Sequence, residues 1–223
     1  MAHAAEATEA PFTATPVRQR RVPVGLTRRE IRRAELLDAA LRVIRRGGSG
    51  RVAMEDIAVE AGISRPILYR HFGDATGLYG AVADDFCQEL LYRLRRSARG
   101  MPPGRDLLRS QIITYLTFLA EDPEVYRYLN RQMPTDRERS VTHHSGFSRL
   151  VADSTAEHLR AAGWGRRMSV AGADLFVGGL EAAASRWVEE PTCPAEELTD
   201  RLTAVLWNGF VYGGMPRRAE GLP

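Results

Sequence analysis

The sequence predicts an all-α protein of about nine helices, in which an N-terminal helix-turn-helix domain is followed by a larger helical domain. Apolar residues recur at spacings of three and four rather than two, so no segment is typical of a β-strand. Capping residues, glycines and prolines divide the chain into segments of helical length. A length of 223 residues, with 44% hydrophobic residues, is sufficient for two such domains with a buried core.

Positive charge is concentrated in the N-terminal third of the chain. Residues 1–72 contain 13 Arg and 8 Asp or Glu, whereas residues 73–223 contain 18 Arg and 20 Asp or Glu. A basic segment of this kind suits contact with the phosphates of a nucleic acid. Cys87 and Cys193 are too few and too isolated for a disulfide framework or a zinc site. With no secretory leader and no apolar run long enough to span a membrane, we expect a cytoplasmic protein.

The first helix is expected to follow a flexible basic arm, residues 1–25, which is rich in Ala, Thr and Pro. The arm is either a solvated tail or a segment that contacts DNA. Thr27 and Glu30 form a capping-box pattern, so the helix should begin at Thr27 and end at the glycines that follow residue 46. The arginines of the arm are Arg18, Arg20 and Arg21.

A helix-turn-helix is the strongest pattern in the chain, and it lies within residues 51–79. Gly62 permits a sharp turn after a first short helix. Ser64 is suited to cap the second helix, and Pro66 is suited to its first turn. The second helix is expected to lie in the major groove of DNA.

This motif resembles the DNA-binding domain of the TetR (tetracycline-repressor-like) family over about residues 27–80, with the turn, the Leu-Tyr pair and the Phe in register. The family often has a Thr or Ser where this chain has Ala53, and a Lys where it has Ala75, so two phosphate contacts are missing here. The matching residues are Ile57, Ala58, Ala61, Gly62, Ile63, Ser64, Leu68, Tyr69, His71, Phe72, Leu78 and Tyr79.

The resemblance implies which side chains meet DNA. Arg65 would donate to guanine O6 and N7 or to a phosphate, and Pro66 and Ile67 would meet a thymine methyl group. Tyr69 and His71 would donate to phosphate oxygens. The predicted DNA-binding residues are Ser64, Arg65, Pro66, Ile67, Tyr69, Arg70, His71 and, at the start of the first helix, Arg28.

The predicted domains are a DNA-binding domain at 26–73, a regulatory and dimerisation domain at 74–213, and a tail at 214–223. The first helix of the second domain should be capped by Asp74 or Thr76, and Tyr79 is expected to pack against the DNA-binding domain. Further helices are expected at about 105–120, after Pro123, at about 141–162, at 168–189 and after Pro194, which we place near the first helical position.

The last two helices are expected to form a dimer interface. A glycine inside a helix costs about 1 kcal/mol relative to alanine, so close packing against another helix must offset it. The resemblance implies a four-helix bundle across a two-fold axis, and packing within one chain is the alternative. A dimer would read a palindromic operator. The small residues of the first of these helices are Ala171, Gly172, Gly178, Gly179, Ala182, Ala183 and Ala184.

The resemblance also implies a small-molecule pocket in the second domain, largely apolar with a few polar groups. For each candidate residue, simple core packing is the alternative. The predicted ligand-binding residues are Tyr115, Phe118, Tyr126, Met133, Phe147 and Phe176, with Trp164 and Trp187 as further wall candidates. The polar candidates are Arg127, Arg131, Arg149, Asp174 and Glu181.

The predicted function is that of a homodimeric regulator, most often a repressor, released from DNA by a small, largely apolar ligand. A ligand-independent regulator is one alternative, and a helical small-molecule-binding protein with a vestigial DNA module is another. Catalysis, a cofactor and a metal site are not expected. Adjacent residues on a helix diverge, so His143, His144 and Ser145 do not form a catalytic set, and neither does nearby Ser148.

Overall fold

The structure, a computed structural model, describes residues 27–47, 52–131, 151–160 and 163–213. Every regular element in these ranges is an α-helix, which confirms the all-α fold class. Across the same ranges, no helix combines the length and apolar character needed to cross a membrane. The helices are α1 (Arg28–Gly47), α2 (Met54–Glu60), α3 (Arg65–Phe72), α4 (Ala75–Ser97), α5 (Arg105–Glu121), α6 (Pro123–Arg131), α7 (151–160), α8 (Arg166–Glu189) and α9 (Ala195–Gly213).

Local sequence signals account for where several helices begin. The capping box at the start of α1 is confirmed, because the Thr27 N–H donates to Glu30 Oε2 (2.7 Å) and the Glu30 N–H donates to Thr27 Oγ1 (3.3 Å). Of the two candidates for α4, Asp74 provides the cap, and its Oδ1 accepts from the Gly77 N–H (2.8 Å). The final helix begins at Ala195, so Pro194 lies one residue before it rather than in its first position.

A continuous hydrophobic core joins the N-terminal helices to the C-terminal ones. Leu36 of α1 and Leu68 of α3 belong to the same buried cluster as Leu116 of α5 and Val188 of α8. Helix α5 lies at the centre of the C-terminal part and packs against α4, α6, α8 and α9. A smaller cluster beside α7 and α8 contains Ala156, Leu159 and Ala173.

Two contacts fasten the short helix α6 to its neighbours. Arg45 of α1 forms a bidentate ion pair with Asp122, the buried residue between α5 and α6, with an Nη2–Oδ2 distance of 2.6 Å. Tyr79 of α4 donates its hydroxyl to the carbonyl oxygen of Leu129 (3.1 Å), and its ring lies beside that of Tyr128. Tyr79 was expected to pack against the DNA-binding domain; its hydroxyl and ring contact α6, and it also packs against the buried cluster that α1 and α3 share with the C-terminal helices. Helix α6 is therefore in contact with both α1 and α4.

Candidate nucleic-acid interface

The turn between α2 and α3 depends on Gly62. Its φ of +63° lies in the left-handed region, which strains a residue that carries a Cβ. Backbone hydrogen bonds from Gly62 N–H to Val59 O (3.1 Å) and from Ile63 N–H to Ala58 O (3.0 Å) close the turn. The turn predicted from the sequence is therefore present, and it places α3 across α2.

Helix α3 has one buried face and one exposed face. Leu68 and Phe72, which were predicted to be core residues, are only 0% and 6% exposed. Ile67 and His71 lie between the two faces and are half-buried. The exposed residues of α3 are Arg65, Pro66, Tyr69 and Arg70. Most of the predicted contact residues therefore face outward together.

The N-terminus of α3 differs in one respect from the prediction. Ser64 occupies the N-cap position and is exposed, but its side chain makes no capping hydrogen bond. Its carbonyl oxygen instead accepts from the Ile67 N–H (3.0 Å), so the backbone alone starts the helix. The hydroxyl of Ser64 is left available to another partner. Ala53 holds the N-cap position of α2 and likewise provides no side-chain cap.

Arg33 and Gly77 hold α3 in place, a role that the sequence did not indicate for either residue. The Arg33 guanidinium donates to the carbonyl oxygen of His71 (2.7 Å) and lies over the Phe72 ring, 4.7 Å from its centroid. At the corner between α3 and α4, a Cβ on Gly77 would come within 1.9 Å of the Phe72 carbonyl oxygen. Only a glycine allows this close approach, so Gly77 permits the tight corner between α3 and α4.

Arginines from two helices surround His71. Burial is the main factor that lowers the pKa of His71, and the positive charges of Arg29, Arg32, Arg33 and Arg70 lower it further. The start of α1 and the end of α3 therefore share one electropositive region. Arg28 and Arg29 are exposed at the first turn of α1, on the edge of this region.

Arg65 is held by a residue of α2 and a residue of α3. Its Nη2 pairs with the carboxylate of Glu55, and its guanidinium also donates to the Tyr69 hydroxyl. These two partners, Tyr69 more than Glu55, hold the pKa of Arg65 above its ordinary value. Glu55 was not among the predicted site residues, because no motif in the sequence signals its pairing with Arg65.

A second exposed surface lies on α8. Met168 and Leu175 are 59% and 75% exposed, and a Cβ added at Gly178 or Gly179 would meet no atom within 4 Å in the part of the chain that the structure describes. The small residues predicted to share one face are divided between two. Gly172 points inward, since a Cβ there would lie 3.0 Å from the Trp164 ring. The outward stripe consists of Met168, Ala171, Leu175, Gly178, Gly179 and Ala182, whereas Ala184 is buried.

The predicted pocket residues lie in several different environments. Phe118 is fully buried and packs edge-on against Phe86, with ring centroids 4.7 Å apart, so it belongs to the core. Tyr126 and Phe176 are also buried, whereas Tyr115 is only partly so. Met133, Phe147 and Arg149 lie outside the described residues, as do His143, His144, Ser145 and Ser148.

Arg127 and Trp187, two of the polar and tryptophan candidates, make contacts that join parts of the protein to one another. Arg127 pairs with Glu124 (2.6 Å) and donates to the carbonyl oxygen of Val188 (2.7 Å), which ties α6 to the end of α8. The Trp187 indole donates to the carbonyl oxygen of Cys193 (2.7 Å). The remaining candidates are Arg131 and Asp174, both exposed, and Trp164, which packs beside α7.

Polar groups from four helices lie near one another in the C-terminal part. Burial, and then Tyr126 and Glu181, raise the pKa of Tyr115 well above its ordinary value. Burial, followed by Asp84 and Glu181, raises the pKa of Cys87 to about 11, so Cys87 is a neutral thiol at pH 7. The cluster joins Cys87 of α4, Tyr115 of α5, Tyr126 of α6 and Glu181 of α8. No group of three or more His, Cys, Asp or Glu suited to a metal ion occurs in the described ranges.

Two family models match the chain. Residues 36–82 match the model described as bacterial regulatory proteins, tetR family, and residues 104–209 match a tetracyclin repressor-like C-terminal domain. The first match contains the whole of α2 and α3, and the second contains α5, α6, α8 and most of α9.

Similar proteins agree with these matches. An uncharacterized HTH-type transcriptional regulator of Mycobacterium tuberculosis (strain H37Rv) is 32% identical over 196 residues, which cover 82% of this chain and 80% of that protein. The crystal structure of a TetR-like transcriptional regulator from Rhodococcus sp. RHA1 has a TM-score of 0.65 and 24% identity, covering 86% of this chain and 99% of that one. The regulator FadR from Bacillus subtilis, in complex with stearoyl-CoA, has a TM-score of 0.62 at 16% identity, covering 79% of this chain and 98% of that one.

Proposed function

Since the chain belongs to the TetR family of bacterial DNA-binding transcriptional regulators, we propose that two copies of it bind a palindromic operator in the cytoplasm. We further propose that the regulator represses and that a small, largely apolar ligand releases it from DNA. The exposed face of α3 is the observation that carries the proposal. Its proposed contact residues are Ser64, Arg65, Pro66, Ile67, Tyr69, Arg70 and His71, with Arg28 of α1.

The separation of α3 into buried residues and outward side chains supports a role in reading DNA. Leu68 and Phe72 fix the helix to the core, so the outward side chains have a defined orientation. Arg65, at the N-terminal end, is placed where recognition helices contact base edges. The arginines around His71 lie at the other end of the helix, where phosphate contacts would set the register on the duplex.

The outward stripe of α8 supports a dimer. Gly178 and Gly179 each weaken the helix by about 1 kcal/mol relative to alanine, and among the described residues no atom lies close enough to exclude a Cβ at either position. The 75%-exposed Leu175 adds apolar surface to the same stripe, and Val205, 70% exposed, does so on the adjacent α9. A second copy that packs α8 and α9 against this surface would bury the apolar side chains and make use of the glycines.

The polar cluster around Tyr115 supports a ligand site. Oriented polar groups in an apolar interior are the usual arrangement of small-molecule pockets. Tyr126 of the cluster lies on α6, the short helix that Arg45 ties to α1 through Asp122. A ligand that displaces α6 would therefore move α1 and alter the spacing of the two recognition helices in a dimer. Stearoyl-CoA is bound by FadR, a protein of the same fold.

Selection of random duplex DNA on the purified protein, at two salt concentrations, tests the DNA-reading proposal. We expect enrichment of a palindrome with two half-sites, bound by two chains per duplex in light scattering, and with an affinity that falls as salt rises. General, sequence-independent binding at both salt concentrations would contradict the proposal.

The ligand proposal is tested on the selected operator. Stearoyl-CoA and free stearate serve as probes, and operator affinity is measured by fluorescence anisotropy with each. We expect a probe to lower the operator affinity of the wild-type protein. A decrease that is smaller in Tyr126→Phe but unchanged in Tyr92→Phe, an exposed position on α4, would support release through the polar cluster. An operator affinity unchanged by either probe at saturating binding would contradict release by long-chain apolar ligands.

A further inference from the structure

An acidic side chain lies within the surface that is proposed to meet DNA. Glu55 is the second residue of α2, its side chain is 47% exposed, and its carboxylate pairs with Arg65 at the start of α3. A carboxylate beside a phosphate backbone is repelled by it, so Glu55 alone would weaken binding. Its position therefore requires an explanation other than affinity.

The pairing constrains a side chain that is otherwise free to rotate. Glu55 pairs with the Arg65 guanidinium from α2, and Tyr69, one helical turn along α3, is the other partner of the same guanidinium. A guanidinium has more N–H donors than these two partners use, so donors remain for a bidentate contact to guanine. Holding a long side chain in its bound orientation reduces the entropy lost when it binds.

The acidic residues of α2 differ in their partners. Glu60, at the end of the helix, accepts from Arg42 and Arg46 and so ties α2 to α1. Glu55, at the other end, faces the recognition helix instead. Asp56 lies next to Glu55, is exposed, and belongs to the same first helical turn. Asp56 therefore serves as a control for charge and for the helix dipole.

We propose that Glu55 is a positioning residue, which orients Arg65 toward one guanine in each half-site and so sets the base preference there. The inference rests on the proposed reading of DNA by Arg65. Glu55 lowers affinity for DNA in general and raises discrimination at one base pair. These two effects have opposite signs, so a single experiment separates them.

The experiment is the duplex selection, repeated with Arg65→Ala, Glu55→Ala and Asp56→Ala, with thermal unfolding of each variant as a folding check. Arg65→Ala is expected to reduce the preference at one position of each half-site by about tenfold to hundredfold. Glu55→Ala is expected to reduce the preference at that same position by at least about threefold, while leaving the other positions unchanged. Asp56→Ala should tighten binding to all sequences equally. Glu55→Gln, which keeps an acceptor oxygen, should recover part of the preference.

The double variant Glu55→Ala with Arg65→Ala completes the test. If Glu55 acts through Arg65, its removal should cause no further loss of base preference once Arg65 is gone. A Glu55→Ala profile with unchanged preferences and uniformly tighter binding would overturn the inference, and so would a sharper preference at the Arg65 position. If Arg65→Ala itself leaves the profile unchanged, the Arg65 contact is wrong and the inference fails with it. If wild-type protein enriches no palindrome, the proposed function is what fails.

Discussion

The outward faces of α3 and α8 differ in chemistry, although both helices bury their opposite face in the same core. Leu68 anchors α3 and Val188 anchors α8, and both are fully buried. The exposed face of α3 carries charged and hydrogen-bonding groups, such as Arg65. The exposed face of α8 carries Leu175 and a run of small residues. A charged face suits a charged partner such as a phosphate backbone, whereas an apolar stripe suits a surface that excludes water.

The two faces also differ in how clearly a sequence motif specifies them. The short helix α3 is specified by a compact motif, in which Gly62, Leu68 and Phe72 determine its position. The stripe on α8 extends over about four turns, and its small residues are mixed with others, such as Gly172, that pack inward. The exposed face of α3 is therefore easier to recognise in the sequence than the stripe on α8.

The largest effect is expected from Leu175→Arg, which places a charge in the centre of the α8 stripe. Burial of one Leu side chain is worth about 2 kcal/mol, and a two-fold interface buries it twice. Dimerisation should therefore weaken by roughly a thousandfold, and operator binding should lose its dependence on two half-sites. Analytical ultracentrifugation measures the first effect, and binding to single and paired half-sites measures the second.

Val170→Arg is the matched control for this prediction. Val170 is 48% exposed on the same helix, but it lies about 140° around the helix from Leu175. The substitution Val170→Arg should leave dimerisation nearly unchanged. If Leu175→Arg remains dimeric while Val170→Arg does not, the interface lies on the other side of α8.

The next effect concerns Arg45, which connects α1 to the junction of α5 and α6 through its ion pair with Asp122. Arg45→Ala would leave the Asp122 carboxylate, which is 5% exposed, without its guanidinium partner. We expect a loss of about 2–3 kcal/mol in the free energy of unfolding, because a buried charge is left uncompensated. Urea denaturation measures the loss. Arg46→Ala, whose ion pair with Glu60 is more exposed, should cost less than about 1 kcal/mol. Equal losses would show that the Arg45 pair is no more than a surface contact.

A smaller effect, of opposite sign in the two assembly states, is expected from Gly178→Ala. In a single chain the added Cβ would contact no atom of the described residues, so helix propensity should stabilise a monomeric Leu175→Arg background by about 1 kcal/mol. In the wild-type background the same methyl group should weaken the dimer, because it separates the closely packed helices. Gly172→Ala should instead destabilise the monomer, because its Cβ would lie 3.0 Å from Trp164. An unchanged dimer dissociation constant for Gly178→Ala would place the interface elsewhere.

The smallest effect is the contribution of His71, on α3, to the pH dependence of the free energy of unfolding. Its folded-state pKa is lowered by burial first and by nearby arginines second, so the unfolded chain binds a proton more readily. Stability should be highest above the ordinary His pKa of about 6.5 and should fall as the pH drops below it. The change should stay below about 1 kcal/mol, because the ring is partly exposed and screened. Urea unfolding at pH 7.5 and pH 5.5 measures it, and His71→Asn should remove this part of the difference.

Local rules predicted much of the fold and part of the candidate sites. The capping box at Thr27, the turn at Gly62 and the buried Leu68 are short-range features, and the structure contains each of them. Phe118 was predicted as a pocket residue, with core packing as the alternative, and it is fully buried against Phe86; apolar periodicity does not separate a core wall from a cavity wall. The predicted domain boundary near residue 73 remains a prediction, since the buried core continues across it.

The sequence by itself determined the helices, the helix-turn-helix and the outward side chains of α3, because these depend on residues within a few positions of one another. Tertiary structure decided which distant groups meet: Glu55 with Arg65, Arg45 with Asp122, and Arg33 with the carbonyl oxygen of His71. Such pairs lie on different helices, and no periodic pattern links them. Their encounter depends on how the helices pack, which is set by the shape of the whole core.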